Sequence, residues 1–524
     1  MVRQGSLTIS EFLEYLAPGI WTSVDLLSWP PDVFALVAAL LQKSGAYTNL
    51  VREWQLDRGR VWCDDVAKIG KAWRNSSTSK KELPNQVSRM WGVVTASCEI
   101  EMNSICTNDE LCSALFHLIA SSDEASHGAG IPPIDDTFEE IARDFLDERA
   151  TLCKLINPSR LRVLPKLHTP QSGITIRSLT HHLALCPASE VQPLWNILPK
   201  DITSEELNLL VLPWPTVVDT NQFRPTGTSR LGSMPKQMQF FSYEPRLEEE
   251  FLKRLQSTIN NAQLLVEDHI HGVIFPELSL TKANHDIARD EVLKRSAFLI
   301  SGVHENPLTE RDYARNYVAL DVPVGEHCIP LTQDKHHRWL LNHDQILQYE
   351  LQDSLDADNS WWENTEIPER KLVFVSMRPW LTLCVLICED LARQDPVSDI
   401  VRAVGPNLVV ALLMDGPQLT HRWAARYATV LADDPGSSVL TVTSLGMAER
   451  SRALDDLGNP NPPRSRVVAL WKDGVKGTQP IELPGKAEGV ILRLKVESRE
   501  EFSADGRGDL KKTRYPVLVE KLYC

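Results

Sequence analysis

Three residues far apart in the sequence have side chains that together could break a carbon–nitrogen bond. Glu277 lies in the segment H-G-V-I-F-P-E-L, Lys335 in Q-D-K-H-H-R-W and Cys388 in L-T-L-C-V-L-I-C-E-D. A thiol attacks a carbonyl carbon once a base has taken its proton, and a nearby ammonium stabilises the oxyanion that forms. The three side chains therefore predict acylation of a cysteine followed by hydrolysis of the acyl-thioester.

Cys388 follows an apolar run, residues 381–387, whose length and composition predict a strand buried on both faces. Glu389 and Asp390 then turn the chain outward. The carboxyl end of a sheet strand is where α/β proteins place their ligands, so this position favours a functional thiol. The alternative is a structural cysteine, since free cysteines are among the most buried residue types. Cys384, on the same face of the strand, is interpreted in that way.

Glu277 also follows an apolar segment, where a carboxylate is costly unless it is paired or lies at the mouth of the sheet. A closed pocket would raise its pKa and suit it to accept the thiol proton and later to activate water. The alternatives are a capping or surface carboxylate for Glu277 and a solvated side chain for Lys335. It is the occurrence of all three residues in this order that favours catalysis.

Strands alternate with helices through the second half of the sequence, which predicts an α/β domain over residues 205–500. The predicted strands are 207–212, 273–275, 297–303, 317–322, 372–375, 381–387, 408–413, 439–443, 467–471 and 489–496. Residues 1–160 are predicted to be an all-helical domain. Residues 161–204 are interrupted by prolines and predict a connector with short helices, and residues 501–524 predict a C-terminal extension.

Two helix signals are clear in the N-terminal region. Pro30 can open a helix that has apolar residues on one face and that Gly45 can close. Thr137 and Glu140 form a possible capping box at the start of a second apolar-periodic segment, which is predicted to continue to about Ile156.

Composition excludes several classes of protein. The net charge of −15 argues against a large nucleic-acid-binding surface, although a local basic patch stays open. There is no run of about 18 apolar residues that would span a membrane. The first residues lack the apolar core of a signal peptide, and the ten cysteines show neither a CxxC pair nor zinc spacing. We therefore expect a cytoplasmic protein with free thiols and with no cofactor or metal. His336 and His337 are adjacent, which suits supporting or solvated roles better than metal ligation.

The order of F-P-E-L, a lysine and I-C-E-D resembles that of the carbon–nitrogen hydrolase (nitrilase) superfamily over about residues 206–500. Further similar segments are Ser301-Gly302, Asn316-Tyr317, Gly405-Pro406-Asn407-Leu408 and His421-Arg422-Trp423. The resemblance implies the fold of that family. The predicted fold class is therefore α/β, a nitrilase-like α-β-β-α sandwich preceded by an all-helical N-terminal domain.

The resemblance also implies roles for individual residues. Glu277 would be the general base, Lys335 the stabiliser of the transition state and Cys388 the nucleophile, with the backbone N–H of Glu389 helping to bind the oxyanion. Glu350 is the candidate for a second glutamate that the family carries after the lysine. The family implies a homodimer or larger homo-oligomer and a small-molecule amide as substrate, with a nitrile less favoured.

Two departures from the family pattern leave a second hypothesis open. Cys-Glu-Asp replaces the aromatic residue that many members carry after the cysteine and resembles the glutaminase modules of glutamine-dependent NAD synthetases, although no SGGxDS motif follows. The polar segment around Trp361-Trp362-Glu363 is interpreted as an insertion that shapes substrate entry. In the second hypothesis the sandwich is an oligomerising scaffold or small-molecule sensor, as in a prokaryotic antiphage defence system. The helical region would then be the effector or the partner-binding part.

Overall fold

The chain begins with a layer of helices. The computed structural model describes residues 7–49, 56–79, 81–198, 204–226, 238–246, 250–307, 313–393, 397–452, 464–508 and 512–524. The helices of this layer are α1 Ile9–Leu16, α2 Pro30–Ser44, α3 Leu56–Ser77, α4 Asn85–Ala96, α5 Asp109–Ala125 and α6 Thr137–Arg149. No helix among the described residues is long and apolar enough to cross a membrane.

Helix α2 is the centre of the layer and has the bounds that the sequence predicted. It begins at Pro30, whose missing N–H is not needed in the first turn, and it ends before Gly45, which has the left-handed φ of 71° that closes many helices. Its side chains from Pro30 to Leu41 are all buried, because α2 packs against α5 on one side and against the strands that follow on another.

The predicted capping box of α6 is wrong by one residue. The capping side chain belongs to Asp136, which accepts a hydrogen bond of 3.0 Å from the backbone N–H of Glu139. A carboxylate caps a helix at least as well as a threonine hydroxyl, so the preceding aspartate replaces Thr137. The helix also ends earlier than predicted, at Arg149, because Ala150 adopts the left-handed conformation with φ 53°.

Strands dominate the rest of the described chain. They are β1 Leu161–Pro165, β2 Leu183–Pro187, β3 Val191–Ile197, β4 Glu206–Val211, β5 Phe223–Thr226, β6 Met238–Tyr243, β7 Gly272–Ile274, β8 Leu280–Thr281, β9 Phe298–Glu305, β10 Arg315–Val324, β11 His327–Asp334, β12 Leu340–Leu341, β13 Ser360–Glu363, β14 Arg370–Arg378, β15 Leu381–Ile387, β16 Leu408–Leu413, β17 Ser438–Thr443, β18 Val467–Asp473, β19 Gly477–Glu482, β20 Val490–Arg499 and β21 Thr513–Tyr523. The helices between them are α7 Phe251–Gln263, α8 Lys282–Leu293, α9 His343–Gln348, α10 Glu389–Ala392, α11 Asp399–Val404, α12 Trp423–Asp433 and α13 Leu445–Arg450.

Two large sheets face each other and form a sandwich. One has the order β11-β10-β9-β7-β4-β20-β21, with β8 beside β9, and the other has the order β19-β18-β17-β16-β15-β14-β3. Their inner faces meet where β10 contacts β15 and β11 contacts β14. Helices α7 and α8 cover the outer face of the first sheet, and α12 and the N-terminal layer cover the second. The result is a layered α-β-β-α arrangement in which β14, β15 and β16 are buried centrally.

The sandwich extends beyond the predicted limits of 205 and 500 on both sides. Strand β3 lies in the segment predicted as a connector with short helices, yet it pairs in parallel with β14 at the edge of the second sheet. An edge strand tolerates Pro193 because its N–H side needs no ladder partner. Strand β21 lies in the predicted C-terminal extension and pairs with β20 along its whole length.

The helical layer and the sandwich share one hydrophobic core. A single cluster of buried side chains contains residues of α1, α2 and α5 together with residues of β14, β15, β16 and β20. Contacts of α2 with β1 and β2, and of α6 with β3, make this connection. The helices therefore form an outer layer of the same packed body. The prediction of an all-helical N-terminal region is consistent with this layer only loosely, because the layer has no separate core.

A buried ion cluster joins the C-terminal residues to the helical layer. Arg507 is 3% exposed and its guanidinium lies 3.2 Å from Asp123, 2.7 Å from Glu124 and 2.9 Å from Asp505. Burial alone would lower the pKa of Arg507, but the three carboxylates outweigh that effect and raise it. Asp123 also accepts hydrogen bonds from the backbone N–H groups of residues 181–183. Helix α5, the segment before β2 and the C-terminal residues are thus held by one cation.

We expect Arg507→Met to destabilise the protein by about 3–5 kcal/mol, because it leaves buried carboxylates without their counter-ion. Arg143→Met is the matched control, since Arg143 forms an exposed pair with Asp144 at 3.7 Å whose loss should cost about 1 kcal/mol or less. The free energy of unfolding in urea measures both. Equal stabilities of the two variants would contradict the assigned role of Arg507.

Candidate active site

Glu277 lies three residues beyond the end of β7, in a turn whose backbone passes so close to β9 that only a glycine fits opposite it. A Cβ atom on Gly302 of β9 would lie 2.3 Å from the carbonyl oxygen of Pro276 and 2.4 Å from the Cα of Glu277. The N–H of Gly302 donates to that carbonyl at 3.1 Å, and Ser279 donates to it through Oγ at 2.7 Å. The missing side chain of Gly302 therefore lets the chain cross β9 closely, which fixes the position of the Glu277 carboxylate.

Lys335 follows β11, and its ammonium lies between two buried carboxylates. Its Nζ atom is 2.7 Å from Glu277 Oε1 and 2.6 Å from Glu363 Oε2. Its backbone N–H donates to the carbonyl of Asn316, the second residue of β10, at 3.0 Å. All three ionisable side chains are at least nine-tenths buried. The structure thus brings together Glu277 and Lys335, as the sequence predicted. It also places Glu363, which the sequence analysis did not assign to the site, beside Lys335.

Glu363, rather than Glu350, is the second glutamate next to Lys335. Glu363 ends β13 and accepts hydrogen bonds from Lys335, from Asn316 Nδ2 at 2.8 Å and from the backbone N–H of Trp339 at 3.1 Å. The carboxylate of Glu350 instead pairs with Arg452 at 3.2 Å. The prediction for Glu350 therefore needs correction. The pattern W-W-E, aromatic residues followed by a carboxylate, was the available signal, because it parallels the F-P-E segment that contains Glu277.

The segment around Glu363 folds as part of a small sheet with the order β12-β13-β6-β5. Strand β13 pairs in parallel with β6, far away in the sequence, and the N–H of Glu363 donates to the carbonyl of Trp339 at 2.8 Å. The segment interpreted as an insertion at the substrate entrance therefore carries a carboxylate of the site itself.

The ionic cluster has one cation and two anions in a buried environment. Burial by itself would lower the pKa of Lys335, but the charges of Glu277 and Glu363 outweigh it and raise that pKa well above its ordinary value. Burial raises the pKa of Glu277; the ammonium of Lys335 opposes this rise and the charge of Glu363 adds to it. The lysine is accordingly a permanent cation, whereas Glu277 has an increased affinity for a proton.

Cys388 lies at the end of β15, on the other large sheet. Its φ of 45° is in the left-handed region, which costs a residue with a side chain about 1–3 kcal/mol, and its backbone N–H donates to the carbonyl of Leu412 at 2.9 Å. Burial raises the pKa of the thiol well above its ordinary value, the charge of Glu277 raises it further and Lys335 opposes the rise. The thiol therefore keeps its proton at neutral pH and needs a base to become nucleophilic.

Glu389 and Asp390 begin the short helix α10 directly after the nucleophile candidate. The side chain of Glu389 pairs with Arg393 at 3.0 Å near the surface, and its backbone N–H lies in the first turn of α10, where no carbonyl of the same helix can accept it. Asp390 is buried and accepts hydrogen bonds from the backbone N–H of His336 at 3.1 Å and from His337 Nδ1 at 2.8 Å. The two histidines thus support the site by joining the lysine loop to the cysteine helix.

The end of β16 also reaches the site, which the sequence did not indicate. The backbone N–H of Met414 donates to Glu277 Oε2 at 2.7 Å. The next residue, Asp415, is buried and accepts hydrogen bonds from Tyr349, Arg422 and Trp423. The carboxylate of Glu277 is consequently held from both large sheets.

Asp268, His269 and His271 form one of the acidic–histidine groups in the described residues whose spacing a metal ion could fit. Nδ1 of His271 accepts a hydrogen bond of 2.9 Å from the backbone N–H of Asn208, so the ring proton lies on Nε2, 3.5 Å from Asp268. A coordinating imidazole needs a bare nitrogen, which His271 does not offer. The other group, with Asp123, Glu124 and His182, already contains the guanidinium of Arg507. Neither group fits a metal.

Comparison with known proteins gives matches among solved structures. No protein-family model matches the chain, and no curated protein matches it. Nit3 of Saccharomyces cerevisiae, a member of branch 10 of the nitrilase superfamily, is 11% identical, with 57% of this chain and 93% of that chain covered and a TM-score of 0.34. An amidase from Nesterenkonia sp. is 12% identical (54% and 93% covered, TM-score 0.29), and a carbon–nitrogen hydrolase from Helicobacter pylori G27 is 10% identical (50% and 87%, TM-score 0.29). The structural neighbours are thus members of the superfamily that the sequence motifs resemble.

We expect Glu277→Gln to make the Cys388 thiol more acidic, because the charge of Glu277 raises its pKa. The rate of alkylation by iodoacetamide, followed at Cys388 by peptide mass spectrometry between about pH 7 and about pH 10, should rise at lower pH in this variant than in the unmodified protein. Glu350→Gln, which alters a carboxylate bound to Arg452 instead, should leave the profile unchanged. A Glu277→Gln profile that coincides with that of the unmodified protein would refute the electrostatic contact.

Proposed function

We propose that this protein is a thiol-dependent hydrolase of non-peptide carbon–nitrogen bonds, acting on a small amide through an acyl-thioester on Cys388. The observation that carries the proposal is the buried ammonium of Lys335, which lies 2.7 Å from Glu277 and 2.6 Å from Glu363 and is close enough to Cys388 to influence its pKa. A base, a cation and a protonated thiol in one closed site are the groups that acyl transfer needs.

The first step is attack of the thiol on the amide carbonyl. Because the pKa of the Cys388 thiol is raised, its proton must leave as the sulfur attacks, and Glu277 is the carboxylate whose proton affinity is raised to match. The S–C bond forms, the proton moves to Glu277 and the carbonyl π electrons move onto oxygen. General-base catalysis of this kind is worth about 10²–10⁴ in rate.

The second step is loss of the amine. The oxyanion is stabilised by the Lys335 ammonium and by the backbone N–H of Glu389, and one such donor is worth about 10²–10³ in rate. Glu277 then returns its proton to the nitrogen, the C–N bond breaks and ammonia or an amine leaves. Water gives a proton to the same carboxylate and attacks the thioester carbon; the C–S bond then breaks, the acid leaves and Glu277 returns the proton to the Cys388 sulfur.

Glu363 has a supporting part in this mechanism. Since it shares the ammonium of Lys335 with Glu277, it keeps the cation in place while Glu277 gains and loses its proton. Without Glu363, the neutral form of Glu277 would leave the buried Lys335 with no anion among the partners described here.

A homodimer or larger homo-oligomer remains part of the proposal, as does a small amide substrate. The rival hypothesis, an oligomerising scaffold or sensor with a helical effector region, predicts binding without turnover. The single core that joins the helical layer to the sandwich favours a supporting layer over an independent effector. A search for turnover therefore decides between the two hypotheses.

We expect Cys388→Ala to abolish both ammonia release and the acyl adduct seen by intact mass spectrometry with a panel of amides that includes glutamine. Cys384→Ala is the matched control: Cys384 lies on the same strand and is fully buried, and its variant should retain the adduct. An unmodified protein that forms no adduct and releases no ammonia with any amide would rule out the hydrolase and favour the scaffold.

We expect kcat/KM to increase with pH as Glu277 loses its proton, since the free enzyme needs the carboxylate as base. Burial raises the pKa of Glu277 above the ordinary value of 4.5, so the midpoint of this acid limb should lie above 4.5. Glu363→Gln removes a charge that raises this pKa, and it should move the midpoint to lower pH even where kcat falls. Glu350→Gln provides the control. A midpoint that stays in place or moves upward in Glu363→Gln would contradict the assignment.

A further inference from the structure

We propose that Asn316 Oδ1 accepts a hydrogen bond from an N–H of the substrate's amide nitrogen. Asn316 then has two tasks: its Nδ2 positions the two carboxylates, and its oxygen selects amides that bear an N–H over esters of the same acid. This inference rests on the proposed hydrolase function.

Asn316 contacts each of the three members of the ionic cluster. Its Nδ2 lies 2.8 Å from Glu277 Oε1 and 2.8 Å from Glu363 Oε1, and its backbone carbonyl accepts the N–H of Lys335 at 3.0 Å. Its own N–H donates to Thr365 Oγ1 at 3.1 Å, and only 2% of its surface is exposed. The side chain is therefore fixed inside the site.

The orientation of the Asn316 amide follows from its neighbours. An amide nitrogen has two hydrogens to donate, and the two carboxylate oxygens beside it can only accept when they are ionised. The opposite orientation would place Oδ1 against two anionic oxygens at 2.8 Å. The nitrogen must therefore face Glu277 and Glu363, and the oxygen must face elsewhere.

Asn316 Oδ1 is buried, and no donor among the described residues reaches it. An acceptor left in this state keeps the cost of its desolvation without a compensating hydrogen bond, and a ligand that supplies the donor removes that cost. The oxygen and nitrogen of one amide are about 2.3 Å apart, so Oδ1 lies within about 5 Å of the Glu277 carboxylate oxygen. A nitrogen that receives a proton from Glu277 can thus also reach Oδ1.

The leaving nitrogen presents the group that this acceptor needs. In the tetrahedral intermediate the nitrogen of a primary amide has two N–H bonds and one lone pair. The lone pair must point at the proton on Glu277 if the C–N bond is to break with departure of ammonia. One N–H directed to Asn316 Oδ1 fixes the nitrogen in that orientation. An ester oxygen has no N–H and gains nothing from the contact.

The test compares amides and esters with the same acyl group. Amides of acetic, butanoic, hexanoic and phenylacetic acids, and glutamine, are each paired with the corresponding methyl ester, and kcat/KM is measured for the full chain. We expect Asn316→Leu and Asn316→Ala to lower the value for the amide about tenfold more than the value for the ester, the effect of one hydrogen bond. Asn316→Asp keeps an oxygen but loses both donors, so both values should fall while their ratio stays unchanged.

A buried asparagine outside the site provides the matched control. Asn208 also has a buried Oδ1 for which the described part of the chain supplies no donor, and its Nδ2 donates to the carbonyl of His269 at 3.1 Å. Asn208→Leu should leave the amide-to-ester ratio as it is. Circular dichroism and thermal unfolding of each variant show whether it is folded. If Asn316→Leu does not fold, Asn316→Ala takes its place in the comparison.

The outcomes separate this inference from the proposed function. Equal losses for amide and ester in Asn316→Leu or Asn316→Ala would restrict Asn316 to positioning the carboxylates and would overturn the acceptor. Turnover of neither class by the unmodified protein would remove the hydrolase and the acceptor together. A second readout is independent of turnover. In the Cys388→Ala background, ligand-observed NMR should show that Asn316→Ala weakens binding of butanamide but not of N,N-dimethylbutanamide.

Discussion

One buried ammonium holds the candidate site together. Lys335 lies between Glu277 and Glu363, and desolvation of such ions costs several kcal/mol each, so the cluster is not a device for stability. The three side chains reach one another only because β7, β11 and β13 end at the same place. This convergence depends on three features: the small sheet that contains β13, the close passage of the chain over Gly302, and the alignment of the large sheets.

The reacting groups come from different sheets. Glu277 and Lys335 follow strands of the eight-stranded sheet, whereas Cys388 and Met414 follow strands of the seven-stranded sheet. The distance between base and nucleophile is therefore set by how the two sheets pack, over the side chains of the shared core. Two hydrogen-bonded links reduce the remaining freedom: Met414 binds Glu277, and Asp390 binds the loop after Lys335.

The parts of this arrangement that the sequence predicted are those that depend on local pattern. The bounds of β15 and β16 agree with the prediction, because fully buried strands read as continuous apolar runs, and Glu277 and Cys388 were found because they end such runs. Strands β3 and β21 were missed because their identity depends on partners elsewhere, β14 and β20. Glu363 was missed for the same reason: the W-W-E pattern is local, but the pairing of β13 with β6 that brings Glu363 to Lys335 depends on a distant strand. The family resemblance implied a glutamate after the lysine and led to Glu350, which the fold directs to Arg452.

The position of the C-terminal strands has a consequence for the order in which the protein matures during synthesis. Strand β4 pairs with β20, and β21 then forms the edge of that sheet, while Arg507 neutralises Asp123 and Glu124 of α5. Until residues 490–524 have left the ribosome, β4 is paired only with β7, and α5 carries two carboxylates without the Arg507 cation. The elements before residue 490 can pack as they emerge, but α5 and β4 reach their final contacts only when these later residues are present. The eight-stranded sheet, whose strands position Glu277 and Lys335, is therefore complete only after β20 and β21 have been synthesised.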